Sequence, residues 1–347
     1  MRLNLFSSDL GIDLGTSNVL INVDNNGVVI REPAVVAVDK NSGRVLQVGS
    51  AARNMLGRTP GNVVAMHPIK SGVVSDQEMT VKMLRVLFNS TAKSRIFPPK
   101  PRVVISVPSG ITEVEERTVI NAALEAGARR VYLIEEPMAA ALGANLDISS
   151  PRGQMVVDIG GGTTDIAVLS MNAIVVSAST KIAGDAFDEA IAKYMRNQYS
   201  VLIGKVTAED VKMQIGTLIP GQDARMTVRG RDAKNGMPRE LSITSAELVE
   251  TLTALAEDIV GEILRLLETA APELVGDIAK NGIVLTGGGS LLSGLDLYLS
   301  EQIGTQCTIA DDPESCVAYG CGKSLAWINT MNEGPINIAR KRIMRQK

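Results

Sequence analysis

Three clusters of glycine, acidic and hydroxyl residues could do chemistry. Asp158-Ile159-Gly160-Gly161-Gly162-Thr163-Thr164 separates two runs of β-formers, 154–157 and 166–169, which reads as strand, turn, strand. Three consecutive glycines let the backbone take positive φ and come close to a ligand, so that successive N–H groups can point at an anion. Asp158 cannot touch a phosphate without a cation between them, so the ligand this pattern suits is a metal-bound polyphosphate. The rival reading is a glycine-rich hairpin whose acids only cap the turn. A second copy weighs against it. Residues 8–23 repeat the plan, with Asp13, Gly15, Thr16, Ser17 and Asn18 at a turn about 145 positions earlier. Two such hairpins suggest an internally duplicated fold that clamps one nucleotide between its halves. The third cluster, Gly287-Gly288-Gly289-Ser290, follows the short apolar run 283–285 and offers bare backbone against which a base and ribose could lie.

The elements that must position these turns are legible in part. Strand at 102–107, amphipathic helix at 112–126 and strand at 130–134 alternate as in an α/β sheet. Glu135-Glu136-Pro137 then opens a helix of small residues, with proline in the first turn where its missing N–H costs nothing. The spacing predicts a helix over 76–88 capped by Ser75, helices over 184–199 and 207–216, the latter capped by Thr207, a hairpin of 225–228 with 240–244 around the loop 230–238, a long helix over 245–268 and a last helix over 313–327. At 347 residues the chain exceeds a single core, and two lobes are expected: 1–144, with a small subdomain inserted at about 33–75, and 145–310, with another at about 184–244. The helix at about 311–330 returns to the first lobe, and 331–347 is a basic tail.

Composition narrows the function. Hydrophobic residues are 45%, aromatics 3%, and the net charge is −3 with both signs interspersed, so there is no basic field suited to nucleic acid. Cys307, Cys316, Cys321 and the single His67 have no metal-ligand spacing, which fits a reducing cytoplasm. No apolar run approaches the ~18 residues of a membrane span, and no secretory leader is recognisable. Three stretches could still touch a membrane surface. Met1 to Phe6, with Leu3, Leu5 and Phe6, is either a frayed end or a small anchor; Ile96 and Phe97 tip a proline-rich loop with no obvious core to enter. The tail from Ile336 to Lys347 carries five basic residues and no acid, with Ile336, Ala339, Ile343 and Met344 able to share a helical face.

Taken in order, Asp13-Leu-Gly-Thr16, Ile134-Glu-Glu136-Pro-Met-Ala-Ala-Ala141, Asp158-Ile-Gly-Gly-Gly-Thr163-Thr and Leu285-Thr-Gly-Gly-Gly289 resemble the actin, Hsp70 and sugar-kinase superfamily of ATPases. Arg53-Asn-Met-Leu-Gly57-Arg-Thr-Pro-Gly61-Asn and Gly184-Asp-Ala-Phe-Asp-Glu189-Ala-Ile narrow the resemblance to the MreB family of bacterial actins, over about residues 8–328. It implies two ribonuclease-H-like lobes around a cleft for ATP and Mg²⁺. It also implies filaments, in paired protofilaments, on the inner face of the plasma membrane, alongside membrane proteins of cell-wall elongation. By resemblance, Asp13 and Asp158 hold Mg²⁺ through water. Gly15, Thr16, Ser17, Asn18, Gly160, Gly161, Gly162 and Thr163 surround the phosphates, and Glu136 and Thr163 position the attacking water. Gly184, Glu209, Lys212, Gln214, Gly287, Gly288, Gly289 and Ser290 line the nucleoside.

Two departures stand out: Gln214 where the family usually has a ribose-binding glutamate, and Ala183 where a glycine often precedes Gly184. A neutral amide accepts more weakly than a carboxylate. Two rivals stay open: a polymerising scaffold with negligible hydrolysis, which the Gln214 change makes credible, and a small-molecule kinase of the same superfamily, which needs an acidic base facing a sugar pocket. Gly322-Lys-Ser324 is no P-loop, since Val317 replaces the first glycine, and Leu292 spoils a dinucleotide fingerprint at Gly287.

Overall fold

A computed structural model describes residues 9–23, 26–91, 100–328 and 336–337. The first half opens on an antiparallel meander of β1 (Leu10–Leu14), β2 (Asn18–Val23) and β3 (Gly27–Pro33). An insert follows: β4 (Val36–Asp39), β5 (Val45–Val48), the short helix α1 (Ser50–Arg53) and β6 (Val63–Met66), with the hairpin β7 (Ile69–Lys70) and β8 (Val73–Val74). Helix α2 (Gln77–Thr91), β9 (Arg102–Val107), α3 (Glu113–Ala126), β10 (Arg130–Glu135) and α4 (Glu136–Gly143) complete it, β9 and β10 running parallel to β1.

The second half repeats the plan. Strands β11 (Gln154–Ile159), β12 (Thr164–Ser170) and β13 (Ala173–Thr180) form the meander. Its insert comprises α5 (Gly184–Tyr199), β14 (Val201–Leu202), α6 (Lys205–Ile215), β15 (Arg225–Asp232) and β16 (Pro238–Thr244). Helices α7 (Val249–Thr269) and α8 (Pro272–Asn281), strand β17 (Ile283–Thr286), helix α9 (Leu295–Ile303) and strand β18 (Cys307–Ile309) follow. The sheet orders β3-β2-β1-β9-β10 and β13-β12-β11-β17-β18 are the same, with the same strand senses, so the duplication expected from the two hairpins extends to whole sheets.

Each sheet has its own core, and a third core lies between them where α4 meets α10 (Cys316–Ile328). Small residues make that crossing possible. A Cβ on Gly320 would overlap the Ala139 carbonyl, and one on Gly143 would overlap the Cys316 carbonyl, so both helices approach backbone to backbone. Gly322, the false P-loop glycine, packs against Asn22 and receives Gly11 of β1. Among the described residues no helix is long and apolar enough to cross a membrane.

Several element starts shift. Asp76, not Ser75, caps α2: its Oδ1 accepts the Met79 N–H at 3.0 Å, while the Ser75 hydroxyl donates to the Pro68 carbonyl. Helix α6 begins two residues before Thr207, after Gly204. Ser245 is spent tying Gln222 and Ala224 together, so α7 starts only at Val249. Strands β15 and β16 run further into their loop than expected, to Asp232 and from Pro238. Ile336 and Asn337 form a strand, β19, parallel to β10, so Ile336 belongs to the sheet rather than to an amphipathic tail. Leu3, Leu5, Phe6, Ile96, Phe97 and the tail after 337 lie outside the described residues.

Candidate nucleotide-binding cleft

The two glycine hairpins face each other. A Cβ on Gly161 would collide with Ser17, and one on Gly162 with Thr16 and with Ser71. Here the missing side chains serve the approach of one hairpin to the other as much as the approach to a ligand. Helix α5 closes on the same turn: the N–H groups of Gly184 and Asp185 donate to the Gly160 and Gly161 carbonyls at 3.0 and 2.7 Å. The Gly72 N–H donates to Thr16 Oγ1 at 2.8 Å, so the β7–β8 turn also borders the site, a contact the sequence reading missed.

Four acids gather between the lobes: Asp13, Glu136, Asp158 and Asp165. Ser106 Oγ donates to Asp13 Oδ1 at 3.1 Å and Thr286 Oγ1 to Asp158 Oδ1 at 2.6 Å. Burial nonetheless pushes Asp13 and Asp158 each up to about 7, the single hydroxyl donors offsetting only part of the desolvation. Glu136, at the start of α4, is raised well above the usual carboxylate range by burial, and then by the charges of Asp165, Asp13 and Asp158. Such a set is short of positive charge. Hard oxygen donors suit Mg²⁺, which keeps several waters and takes few protein ligands. Among the described residues no three His, Cys, Asp or Glu side chains are grouped so as to hold a metal directly. The residues fit the ion held through water.

Around the expected nucleoside pocket the side chains divide. Lys212 Nζ pairs with Asp188 Oδ1 at 2.8 Å and donates to the Gly184 carbonyl at 2.9 Å, which fixes α6 on α5. Gln214 is exposed on the last turn of α6. Glu209 is engaged by Arg53 of α1 in the opposite insert. Gly287 has φ 79° and, like Gly289, rests on Ile159, whereas Gly288 is open except for Glu314 Oε1, 3.4 Å from where its Cβ would be. Ser290 is fully buried and its hydroxyl donates to the Gly287 carbonyl, so it shapes the turn. Asn18 is exposed. Asp165, Ser106, Thr286 and Asp188 were not singled out in the sequence; only the position of Thr286 before the third glycine cluster could have signalled it. The three cysteines are buried and free, and burial raises their thiols, Cys307 to about 11 and Cys316 to about 12.

Residues 7–333 match the family model described as MreB/Mbl protein. The chain is 48% identical over 328 residues to the cell shape-determining protein Mbl of Bacillus cereus, covering 94% of this chain and 98% of the relative. It is 48% identical over 330 residues to the cell shape-determining protein MreB of Escherichia coli K12, covering 94% and 95%. Among solved structures, MreB5 of Spiroplasma citri bound to AMPPNP superposes with a TM-score of 0.88 at 38% identity, over 93% of this chain and 97% of that one.

Proposed function

The chain belongs to the MreB/Mbl family, actin-like cytoskeletal proteins that determine cell shape, and on that premise we propose that it binds ATP with Mg²⁺ between its lobes and hydrolyses it as part of a filament cycle. The observation that carries the reading is the meeting of two duplicated hairpins over four acids, three of them, Glu136, Asp158 and Asp165, buried. The Spiroplasma relative, solved with AMPPNP and with ADP, supports an adenine nucleotide.

Asp13 and Asp158 would hold the ion through water, and Mg²⁺ there supplies charge neutralisation for the leaving phosphates. The backbones of Gly15 and Gly160–Gly162 and the hydroxyls of Thr16 and Ser17 bind the phosphates. Glu136 and Thr163 orient water for in-line attack, a task of positioning rather than of covalent chemistry. The turn Gly287–Gly289 and helix α6 hold the nucleoside, where exposed, uncharged Gln214 gives the ribose a weaker acceptor than a carboxylate. Filaments, as paired protofilaments on the inner face of the plasma membrane beside the elongation proteins of the wall, complete the reading.

The neutral Gln214 also favours a second reading, a scaffold that polymerises with nucleotide but hydrolyses little. Phosphate release during assembly separates the two. In the first case Glu136→Ala keeps nucleotide binding and slows release by ~10²; equal release by variant and wild type sinks the catalytic assignment. Electron microscopy on lipid with ATP and with ADP tests the filament.

A further inference from the structure

Gly288 is the exposed residue among Gly287, Gly288 and Gly289, and one side chain stands over it. The three atoms nearest to where a Gly288 Cβ would be all belong to Glu314: Oε1 at 3.4 Å, Cγ at 3.7 Å and Cδ at 4.0 Å. Glu314 comes from the short 3₁₀ turn Pro313–Ser315 that leads into α10, and the two turns are tied, the Gly287 N–H donating to the Pro313 carbonyl at 2.9 Å. The Glu314 carboxylate is held at one oxygen only. Its Oε2 accepts from Arg31 Nη1 of β3 at 2.7 Å, and the same guanidinium reaches Asp312 Oδ2 at 3.3 Å and the Ser315 hydroxyl. Oε1 accepts from no donor among the described residues. With 45% and 38% of the Arg31 and Glu314 side chains exposed, the ion pair adds little stability. Its effect is to hold a charged acceptor, Oε1, over the bare turn.

We infer that Glu314 selects the base: with a purine against Gly288, Oε1 accepts from the 6-amino group of adenine and turns guanine away. This rests on the reading of the Gly287–Gly289 turn as the nucleoside surface. Adenine carries a donor at N6 where guanine carries the acceptor O6. An unpaired carboxylate oxygen gains a charge-assisted hydrogen bond from the first and faces another acceptor in the second. A carboxylate can take guanine through N1–H and N2–H₂ together, but that pairing needs both oxygens, and Arg31 holds Oε2. Arg31 is thus a positioning residue that leaves Glu314 one acceptor to offer rather than two. A purine without a 6-substituent loses the bond but meets no repulsion, so its affinity falls between those of the two natural bases.

The test crosses ligand with protein: calorimetric titration of the full chain, wild type, E314A and E314Q, with ATP, purine riboside triphosphate and GTP in the presence of Mg²⁺. Wild type is expected to bind ATP ~10-fold more tightly than purine riboside triphosphate, because a site built to pair a polar group rejects the analogue that lacks it. GTP is expected to bind more weakly still. In E314A the affinities for ATP and purine riboside triphosphate converge to within ~2-fold, through loss on ATP. In E314Q the amide can turn its N–H₂ to the base, so GTP gains on ATP by ~10-fold. A side chain that only braces the turn would weaken all three ligands alike and lower the melting temperature with them, which overturns the inference. A wild type that binds ATP no better than purine riboside triphosphate, an E314A that keeps their full ratio, or an E314Q with the wild-type preference overturns it equally, and each leaves nucleotide binding standing. The wild-type comparison needs no variant and decides the matter if neither variant folds. A wild type that binds none of the three ends the nucleotide reading itself, and this inference with it.

Discussion

The guanidinium of Arg53 meets the carboxylate of Glu209 at 2.6 Å, Nη2 to Oε2, and Asp210 Oδ1 lies 3.7 Å from the same nitrogen, joining α1 of the first insert to α6 of the second. Both side chains of the closer pair keep about 29% of their surface exposed, so the contact is worth ~1 kcal/mol rather than the several of a buried pair. It nevertheless ties the two inserts, and if the nucleotide lies between the lobes as proposed, the tie opposes its release. Arg53→Glu replaces attraction by repulsion from two acids and is expected to speed release of a fluorescent ADP analogue ~10-fold, about 1.4 kcal/mol. The swap Arg53→Glu/Glu209→Arg restores the rate. Unchanged release in the single variant, or a swap that restores nothing, shows that closure is held elsewhere.

Stability of the nucleotide-free protein is expected to rise as pH falls from 7.5 to 5.5. Burial raises Asp13 and Asp158 to about 7 and Asp188 to about 6 from an unfolded value of 3.8, with Asp165 and Glu136 also raised. The folded form therefore binds protons more tightly than the unfolded one, and that contribution is lost as pH rises through 6 to 7. Asp39, Glu115, Asp147, Asp232 and Glu247 are lowered, so their contribution is lost only as pH falls below the ordinary carboxylate range. His67, lowered mainly by burial, opposes the trend, but it is one group against several. Mg²⁺ and ADP should flatten the dependence by favouring the charged acids. A melting temperature that only falls on acidification, with or without ligand, contradicts the prediction.

The duplicated hairpins were legible because each needs a local run of types, acid then glycine then hydroxyl between β-formers, and the matching sheets followed from them. Helix starts were less so: Ser75 and Thr207 are good capping types, but Asp76 and the chain after Gly204 won through contacts a sequence does not display. Asp165 closes the glycine turn in the sequence but was given no role there, since nothing local marks a side chain whose partner, Ser109, is 56 positions away. The Arg53–Glu209 tie spans 156 positions and was equally invisible; Glu209 was placed at the nucleotide only by resemblance.

Membrane binding is expected to depend on Ile96 and Phe97. Two apolar side chains buried in lipid contribute ~3 to 5 kcal/mol, and each basic residue of the tail about 1 near an anionic leaflet, so one subunit binds weakly and a filament binds by avidity. Co-sedimentation with anionic vesicles should require ATP, weaken with salt and drop sharply in Ile96→Ser/Phe97→Ser. If that variant polymerises and still pellets as wild type does, Leu3, Leu5 and Phe6 or the tail carry the anchor.

Adjacent glycines of the third cluster are expected to separate folding from binding. Gly287 sits at φ 79°, and a Cβ there would strike the Ile159 carbonyl and lie 3.0 Å from Asp158 Oδ1. Gly287→Ala therefore combines backbone strain with a clash against fixed backbone, and a loss of ~2 kcal/mol or more in unfolding free energy is expected. Gly288 is not at positive φ, and its Cβ would meet only the movable Glu314 carboxylate at 3.4 Å. Gly288→Ala should leave the melting temperature within a few degrees of wild type. It would still place a methyl group on the surface where the base is proposed to lie, so ATP affinity should fall ~10-fold while the fold is kept. Denaturant unfolding and nucleotide titration of the two variants decide the matter. A Gly288→Ala protein that is stable and binds ATP normally moves the nucleoside away from this turn, and a Gly287→Ala protein as stable as wild type means that the turn can re-form around a left-handed alanine.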